Sequence, residues 1–280
     1  MRFFRVSLLL LLSANCLQVP DAWADASLNV LGPDAGSQWL RERLESKVYR
    51  ASDQRLADYE SLETGEDISA YQARLRATFV ERLGGFPERT PLNARIVGGE
   101  AGDGFRYEKI LYDSLPGFSV SAILYLPEGE GPFPGVLVPC GHSKIGKASE
   151  TYQRASILLA MNGIAALCYD PIGQGERVQT LDAEGKPLYI GTLDHMMVGV
   201  GSTLVGRNTA TYRIYDGMRG LDYLESRSDI DGARLGCTGN SGGGTLTSYI
   251  MALDPRVQCA APSCYLTTFR RLVETIGPQD

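Results

Sequence analysis

The sequence predicts an α/β fold with a mostly parallel sheet, an antiparallel N-terminal edge and helices that precede the sheet. Two observations predict it. Apolar runs without polar alternation recur after about residue 130, which is typical of strands buried on both faces. Helical patterns separate these runs, and such alternation indicates a parallel sheet. With 280 residues, 44% of them hydrophobic, the chain is long enough for one sizeable core.

The first 24 residues have the features of a signal peptide. Arg2 and Arg5 precede the stretch VSLLLLLSANCL, which is too short to span a bilayer comfortably, and Ala22-Trp23-Ala24 fits an A-x-A cleavage site. We therefore expect a secreted or periplasmic protein that has no membrane association after cleavage near Asp25. A membrane anchor is the alternative.

The composition argues against several classes of partner. A formal net charge of −6 and the lack of a Lys/Arg-rich run disfavour nucleic acid. Five cysteines follow the predicted signal peptide, each in or beside an apolar run, where a free cysteine packs as a small hydrophobic residue. Export would also allow them to oxidise, so their pairing stays open. The sequence has no C-x-x-C pair and no His-rich cluster, so we expect no metal site.

Two helices are predicted between residues 37 and 84, because apolar residues recur there at spacings of three and four. Gly84-Gly85 ends the second helix. Residues 25–100 are accordingly predicted as an N-terminal helical segment, and residues 101–280 as the core domain. No catalytic grouping stands out in the helical segment.

From about residue 105 the pattern changes to strands. FRYEKILYDS and FSVSAILYLPE are two strands around a turn at residues 115–117, which predicts an antiparallel start to the sheet. The later predicted strands are PGVLVPCGHS, GIAALCYDPIG, RLGCTG and VQCAAPS, and the helices are 148–162, 209–226, 241–253 and 266–276. The segment 174–205 is predicted to be irregular.

Residues 239–243 match the pattern G-x-S-x-G, with Ser241 at the centre, between a predicted strand and a predicted helix. A nucleophile on such a tight turn needs small residues two positions before and after it, because these positions approach each other. The helix that follows directs N–H groups, including that of Gly242, toward a developing oxyanion. The sequence therefore predicts Ser241 as a nucleophile, and a plain glycine-rich turn is the alternative.

The loop PCGHSKIGK follows an earlier strand, the position from which a second oxyanion donor normally comes. Gly141 lets the backbone turn there, and we expect the N–H of His142 or a neighbour to join that of Gly242. His142 is disfavoured as the general base because it precedes Ser241, whereas triads on such a turn run serine, acid, histidine.

Four segments resemble secreted bacterial α/β-hydrolases of the acetylxylan-esterase-like group, relatives of dienelactone hydrolases and prolyl-oligopeptidase-type enzymes. The segments are YDPIGQGER, VGRNTATYRIYDGMRGLDYL, LGCTGNSGGGTLTSYIMALDPRV and ETIGPQD. The resemblance covers about residues 75–280 and implies the α/β-hydrolase fold. It also implies hydrolysis of carboxylic esters, often acetyl or similar esters on plant polysaccharide, through a serine acyl-enzyme without a cofactor.

The chain departs from this group after the serine. The group's acid and histidine follow two later strands, but only 39 residues follow Ser241, and none is a histidine. We therefore expect the last strands, the acid and the histidine to lie beyond Asp280, and the 280-residue chain to be nearly inactive alone. The alternatives are a non-catalytic remnant and a prolyl-oligopeptidase-type serine peptidase, which Asn240 before the serine disfavours.

Other polar residues allow two interpretations each. His195 lies in the irregular segment, either as a lid or packing residue that can contact substrate or as the base of a triad in permuted order. Glu176 and Arg177 are either a local ion pair or substrate contacts. Asp170, after a strand, and Asp254, before a proline, are predicted to order a loop and a turn rather than to act as the catalytic acid.

Overall fold

The computed structural model describes residues 39–275, and the boundary between its two compact units falls between residues 53 and 54. The predicted signal peptide and Asp280 lie outside the described residues. Among the helices of the described part, none is long and apolar enough to cross a membrane. The predicted boundary between a helical segment and a core at residues 100 and 101 stays a prediction.

The two predicted N-terminal helices are present as α1 (Trp39–Glu60) and α2 (Gly65–Arg82). Thr64 caps α2: its hydroxyl accepts from the backbone N–H of Asp67, and the Asp67 carboxylate accepts from the backbone N–H of Thr64. Near the end of α2, Phe79 packs against the core of the sheet. The apolar side chains at the start of α1 are instead exposed.

A seven-stranded sheet follows, in the order β1-β2-β3-β5-β4-β6-β7. Its strands are β1 (Arg95–Ala101), β2 (Phe105–Leu115), β3 (Phe118–Pro127), β4 (Phe133–Pro139), β5 (Ala165–Tyr169), β6 (Ile230–Asn240) and β7 (Val257–Ser263). The pairs from β1 to β5 are antiparallel, and β5, β4, β6 and β7 run parallel to one another. This mixed sheet confirms the predicted fold class and its antiparallel N-terminal edge.

Helices cover the sheet and connect its parallel strands. They are α3 (Glu150–Met161), α4 (Thr192–Leu204), α5 (Thr209–Glu225), α6 (Gly242–Leu253) and α7 (Phe269–Glu274). The largest cluster of buried side chains lies between α5 and the sheet, where Ile214 and Leu221 pack with Leu137 and Leu167. All five residues of β5 are buried, as expected for a strand covered on both faces.

Two elements differ from the sequence prediction. Strand β1 was not predicted, because all seven of its residues are exposed and carry no apolar alternation; it forms by pairing with β2. Helix α4 occupies part of the segment that was predicted to be irregular. Its sequence holds two glycines, but Thr209 at the start of α5 donates its hydroxyl to the His195 carbonyl oxygen, so tertiary contacts support the helix.

Candidate active site

Ser241 occupies the turn between β6 and α6, in a backbone conformation that a non-glycine residue rarely adopts. Its φ is 55° and its ψ is −117°. The surrounding backbone holds it there: the Ser241 N–H donates to the Ser263 carbonyl at 2.9 Å, and its carbonyl accepts from the Thr245 N–H at 2.9 Å. A strained residue persists when its neighbours fix it in this way, and such residues cluster at functional sites.

The glycines two positions before and after Ser241 have no room for a side chain. A Cβ atom on Gly239 would lie 2.6 Å from the carbonyl oxygen of Gly243. A Cβ atom on Gly243 would overlap the carbonyl oxygen of Pro139, the last residue of β4. The close approach that the G-x-S-x-G spacing predicts is therefore present, and it also brings the serine turn against the end of β4.

The loop after β4 packs directly on the serine turn. A Cβ atom on Gly141 would overlap the Asn240 carbonyl oxygen, so only glycine fits there. The imidazole of His142 lies against Gly242, where an added Cβ atom would be 2.7 Å from the His142 Cε1 atom. The structure thus brings together Ser241, Gly242 and His142, as the sequence predicts.

Two buried side chains hold Gly141, the residue that precedes His142. Gln174 donates its side-chain amide to the carbonyl oxygens of Gly141, at 2.5 Å, and of Ser143, at 3.1 Å. Tyr152 accepts from the Gly141 N–H at 2.6 Å, and burial raises the pKa of its hydroxyl, which stays protonated. In a planar trans peptide unit, the C=O and N–H groups point in opposite directions. The direction of the Gly141 carbonyl therefore fixes the direction of the His142 N–H.

Sequence reasoning did not single out Gln174 or Tyr152. Gln174 is fully buried and stands between Gly173 and Gly175, both of which have a positive φ. A long polar residue between two glycines after a buried strand is a signal of a close backbone approach. Tyr152, near the start of α3, gave no comparable signal.

Asp170 ties the loop after β4 to the loop after β5. Its fully buried carboxylate accepts from the Ser121 hydroxyl, the backbone N–H of Lys147, the Lys147 ammonium group at 2.6 Å and the Glu176 N–H. Such a set of bonds satisfies the buried charge and holds both loops in one arrangement. These contacts agree with the predicted loop-ordering role.

The structure places Glu176 and Arg177 apart from Ser241. Neither lines the cavity beside the serine. The Glu176 carboxylate lies 2.5 Å from the Lys147 ammonium, and the buried Arg177 guanidinium lies 2.6 Å from the Asp216 carboxylate. Each residue has an ion pair, but with a partner other than its neighbour in sequence, so these contacts do not support the predicted role in substrate binding.

A cavity of about 870 Å³ opens beside Ser241. It is lined by residues of α4, α5 and α6 and of the segment 262–272, and both His142 and His195 belong to its wall. Their ring centroids are 5.5 Å apart. The His195 Nε2 atom lies 2.7 Å from the Ile172 carbonyl oxygen, to which it donates, because a carbonyl can only accept. The structure thus places His195, a predicted substrate contact, in the wall of the same cavity as Ser241.

Asp254 lies at the end of α6 and outside this cavity. Burial pushes the pKa of its carboxyl upward, but hydrogen bonds from Arg256 outweigh that effect and hold the pKa below its usual value. The carboxylate also accepts from the Arg256 N–H, which closes the turn. This arrangement agrees with the predicted turn role.

The cysteines only partly follow the prediction. Cys140, Cys168 and Cys237 are buried and free, and burial raises the pKa of the Cys237 thiol to about 12. The prediction was wrong for Cys259 and Cys264, which are free but exposed. Four of the seven residues of β7, including Cys259, are exposed, and Cys264 directly follows this strand. Within residues 39–275, no group of His, Cys, Asp and Glu side chains could hold a metal ion.

The model of the acetyl xylan esterase (AXE1) family matches residues 103–279, which is more than half of the chain. The chain belongs to the acetyl xylan esterase family. This membership confirms the resemblance seen in the sequence. The match begins near β2 and includes the serine turn, so Ser241 and His142 lie within the matched residues.

Individual relatives agree with the family. The chain is 28% identical over 216 residues to YtaP of Bacillus subtilis (strain 168), a protein named as a hydrolase, across 73% of this chain and 68% of YtaP. A solved structure designated an acetyl xylan esterase, BF1801 of Bacteroides fragilis NCTC 9343, has 20% identity and a TM-score of 0.62. The alignment covers 74% of this chain and 56% of that chain.

Acetyl xylan esterase 1 of Thermoanaerobacterium sp. JW/SL YS485 has 16% identity and a TM-score of 0.54, over 72% of this chain and 61% of that one. These structures show that the fold is that of an α/β-hydrolase. The chain spans between about half and two thirds of the length of both solved chains.

The contact between the serine turn and β4 predicts a strong effect of Gly243→Ala. The added methyl group would overlap the Pro139 carbonyl oxygen, so we expect a loss of about 1–3 kcal/mol or more in the free energy of unfolding, measured by urea denaturation. Gly201→Ala is the matched control, because nothing lies within 4 Å of its Cβ position in α4. Equal stability of the two variants would show that the turn is looser than described.

Proposed function

We propose that the protein hydrolyses carboxylic esters, acetyl or similar small acyl esters on plant polysaccharide, with Ser241 as nucleophile. One observation carries the proposal: Ser241 stands at a strained strand-to-helix turn whose glycines press against the end of β4. This is the geometry in which a fold presents a serine hydroxyl at the top of its sheet. Membership of the acetyl xylan esterase family supports the ester class.

In the proposed reaction, the Ser241 hydroxyl attacks the ester carbonyl carbon and its proton passes to a general base. The tetrahedral oxyanion collapses, the bond to the sugar oxygen breaks, and the base returns the proton to that oxygen. Water then hydrolyses the acyl-enzyme through a second tetrahedral intermediate, which releases the acid and restores the serine. No cofactor is required for these steps.

The oxyanion is proposed to bind the backbone N–H groups of Gly242 and His142. Gly242 is the first residue of α6, and the first N–H groups of a helix have no partner within the helix. The positive end of the helix dipole adds to this attraction. Gln174 supports the role of His142, because it binds the carbonyl of the peptide unit whose N–H would donate. Tyr152 fixes the preceding peptide unit through the Gly141 N–H.

The base is part of the same proposal. The chain has two histidines. His195 uses its Nε2 atom on the Ile172 carbonyl, and the His142 ring packs on Gly242, on the proposed oxyanion side. Neither histidine is therefore assigned as the general base, a role that triads on such a turn give to a histidine after the serine.

Ser241→Ala tests the proposal in protein expressed from its complete reading frame. We expect kcat/KM for 4-nitrophenyl acetate to fall at least about 10³-fold, because the acyl-enzyme can no longer form. Ser248→Ala is the matched control on the same helix, since its hydroxyl only donates to the Gly244 carbonyl. It should keep activity within about twofold.

Three outcomes would contradict the proposal. Equal hydrolysis by wild type and Ser241→Ala would remove Ser241 from the chemistry. No hydrolysis by either would support a non-catalytic protein. Cleavage of a prolyl peptide without ester cleavage would support a peptidase.

Gln174→Ala tests the proposed oxyanion site. We expect kcat to fall about 10- to 100-fold with KM within about twofold, because a misdirected His142 N–H weakens binding of the oxyanion but not of the ground state. Gln153→Ala is the matched control. The Gln153 side-chain amide also donates to a backbone carbonyl, that of Ala148, but this hydrogen bond is exposed. Rates should be normalised to titrated active sites. A fall in active protein with unchanged kcat would reduce Gln174 to a structural role.

A further inference from the structure

Two buried cysteines from neighbouring parts of the sheet face each other. Cys140 directly follows β4, Cys168 belongs to β5, and their Sγ atoms lie 3.5 Å apart. Both residues are fully buried. They are 28 positions apart in the sequence and meet because β4 and β5 are parallel neighbours. The contact between the two sulfur atoms is therefore a product of the tertiary fold.

The fold keeps the other cysteines of residues 39–275 away from this pair. Cys140 and Cys168 belong to the smaller buried cluster, which includes side chains of α3, whereas Cys237 belongs to the larger cluster under α5. The sheet separates the two clusters, because successive side chains of a strand point to opposite faces. Cys259 and Cys264 are exposed on and after β7, and β6 lies between β7 and β4. Each thiol of the pair thus has one cysteine within reach.

We propose that Cys140 and Cys168 form a disulfide site, at which a covalent bond staples the loop after β4 to β5. Bonded sulfur atoms are about 2.05 Å apart, so the present separation of 3.5 Å must shrink by about 1.5 Å. Cys140 can supply this movement, because it lies one residue beyond Pro139, where the pairing of β4 with β5 ends. The staple would fix the residue directly before Gly141.

The bond forms by exchange with a small disulfide, such as oxidised glutathione, which is the oxidant. The thiolate of one cysteine attacks a sulfur atom of this donor, which displaces one donor thiolate and leaves a mixed disulfide. The thiolate of the second cysteine then attacks the sulfur atom of the first and releases the other donor thiolate. The protein loses two protons and two electrons, and the donor becomes two thiols.

Burial determines when this exchange takes place. In the folded protein, burial raises the pKa of the Cys140 thiol well above its usual value, so the thiol stays protonated and shielded from a donor. The exchange therefore takes place during folding, before β4 and β5 are covered. After folding, the same burial protects the bond from reductants. Disulfide donors are present during folding in oxidising compartments, to which the predicted signal peptide would direct the chain.

Refolding from the reduced, unfolded state tests the site in protein expressed from its complete reading frame. One sample refolds with oxidised and reduced glutathione and another with dithiothreitol, and free thiols are then blocked with N-ethylmaleimide in urea. After digestion with trypsin, mass spectrometry of the first sample should show residues 110–144 linked to residues 155–177, the peptides of Cys140 and Cys168. Blocking of both thiols in that sample, or a link from either one to a different cysteine, would overturn the site.

Thermal unfolding of the same two samples measures the effect of the staple. The bond closes a long loop in the unfolded chain, so we expect the oxidised sample to melt at least about 5 °C above the reduced one. Cys140→Ala should abolish the linked peptides and this difference. Cys237→Ala is the matched control, because it removes a buried thiol that contacts Thr247 rather than a cysteine, and it should keep both. Linked peptides without a difference in melting temperature would overturn the staple.

The design separates loss of the bond from loss of packing. Each variant is compared with itself in two redox states, so the packing lost around the substituted side chain cancels. If Cys140→Ala does not refold, Cys168→Ala removes the bond from β5 and must give the same result. If neither variant refolds, the linked peptides of the wild-type protein decide alone. Ester hydrolysis is not a readout, so failure of the proposed function leaves these outcomes unchanged.

Discussion

The site depends on one backbone contact, between the serine turn and the end of β4. Strands β4 and β6 are parallel neighbours, with Leu137 opposite Cys237, so their carboxyl ends meet at one edge of the sheet. Gly243 allows the turn to touch the Pro139 carbonyl because it has no side chain. That contact places Ser241 beside the loop that carries His142, and the cavity opens next to both.

The fold could be predicted because each central strand can be recognised from its own short stretch of sequence. Apolar runs such as β5 are buried on both faces and need no partner to be recognised. The serine turn was recognisable because steric crowding requires glycine at two fixed positions. Strand β1 and helix α4 could not be predicted, since one is an exposed edge strand and the other is a glycine-containing helix supported by contacts from α5.

Only the part of the site that lies in short sequence motifs could be predicted. Ser241, Gly242 and His142 belong to two recognisable turns. Gln174 acts from another element, and its significance depends on which carbonyl the fold places beside it. The sequence suggested that Arg177, a charged residue after a buried strand, contacts substrate. In the structure it forms a buried ion pair with Asp216 and does not line the cavity.

The central claim is that Ser241 is the nucleophile, and covalent labelling tests it most directly. Protein from the complete reading frame is treated with a fluorophosphonate, digested with trypsin and analysed by tandem mass spectrometry. We predict one adduct on the peptide of residues 235–256, assigned to Ser241 rather than Ser248. An adduct on another residue, or a protein that hydrolyses esters while Ser241 remains unlabelled, would contradict it.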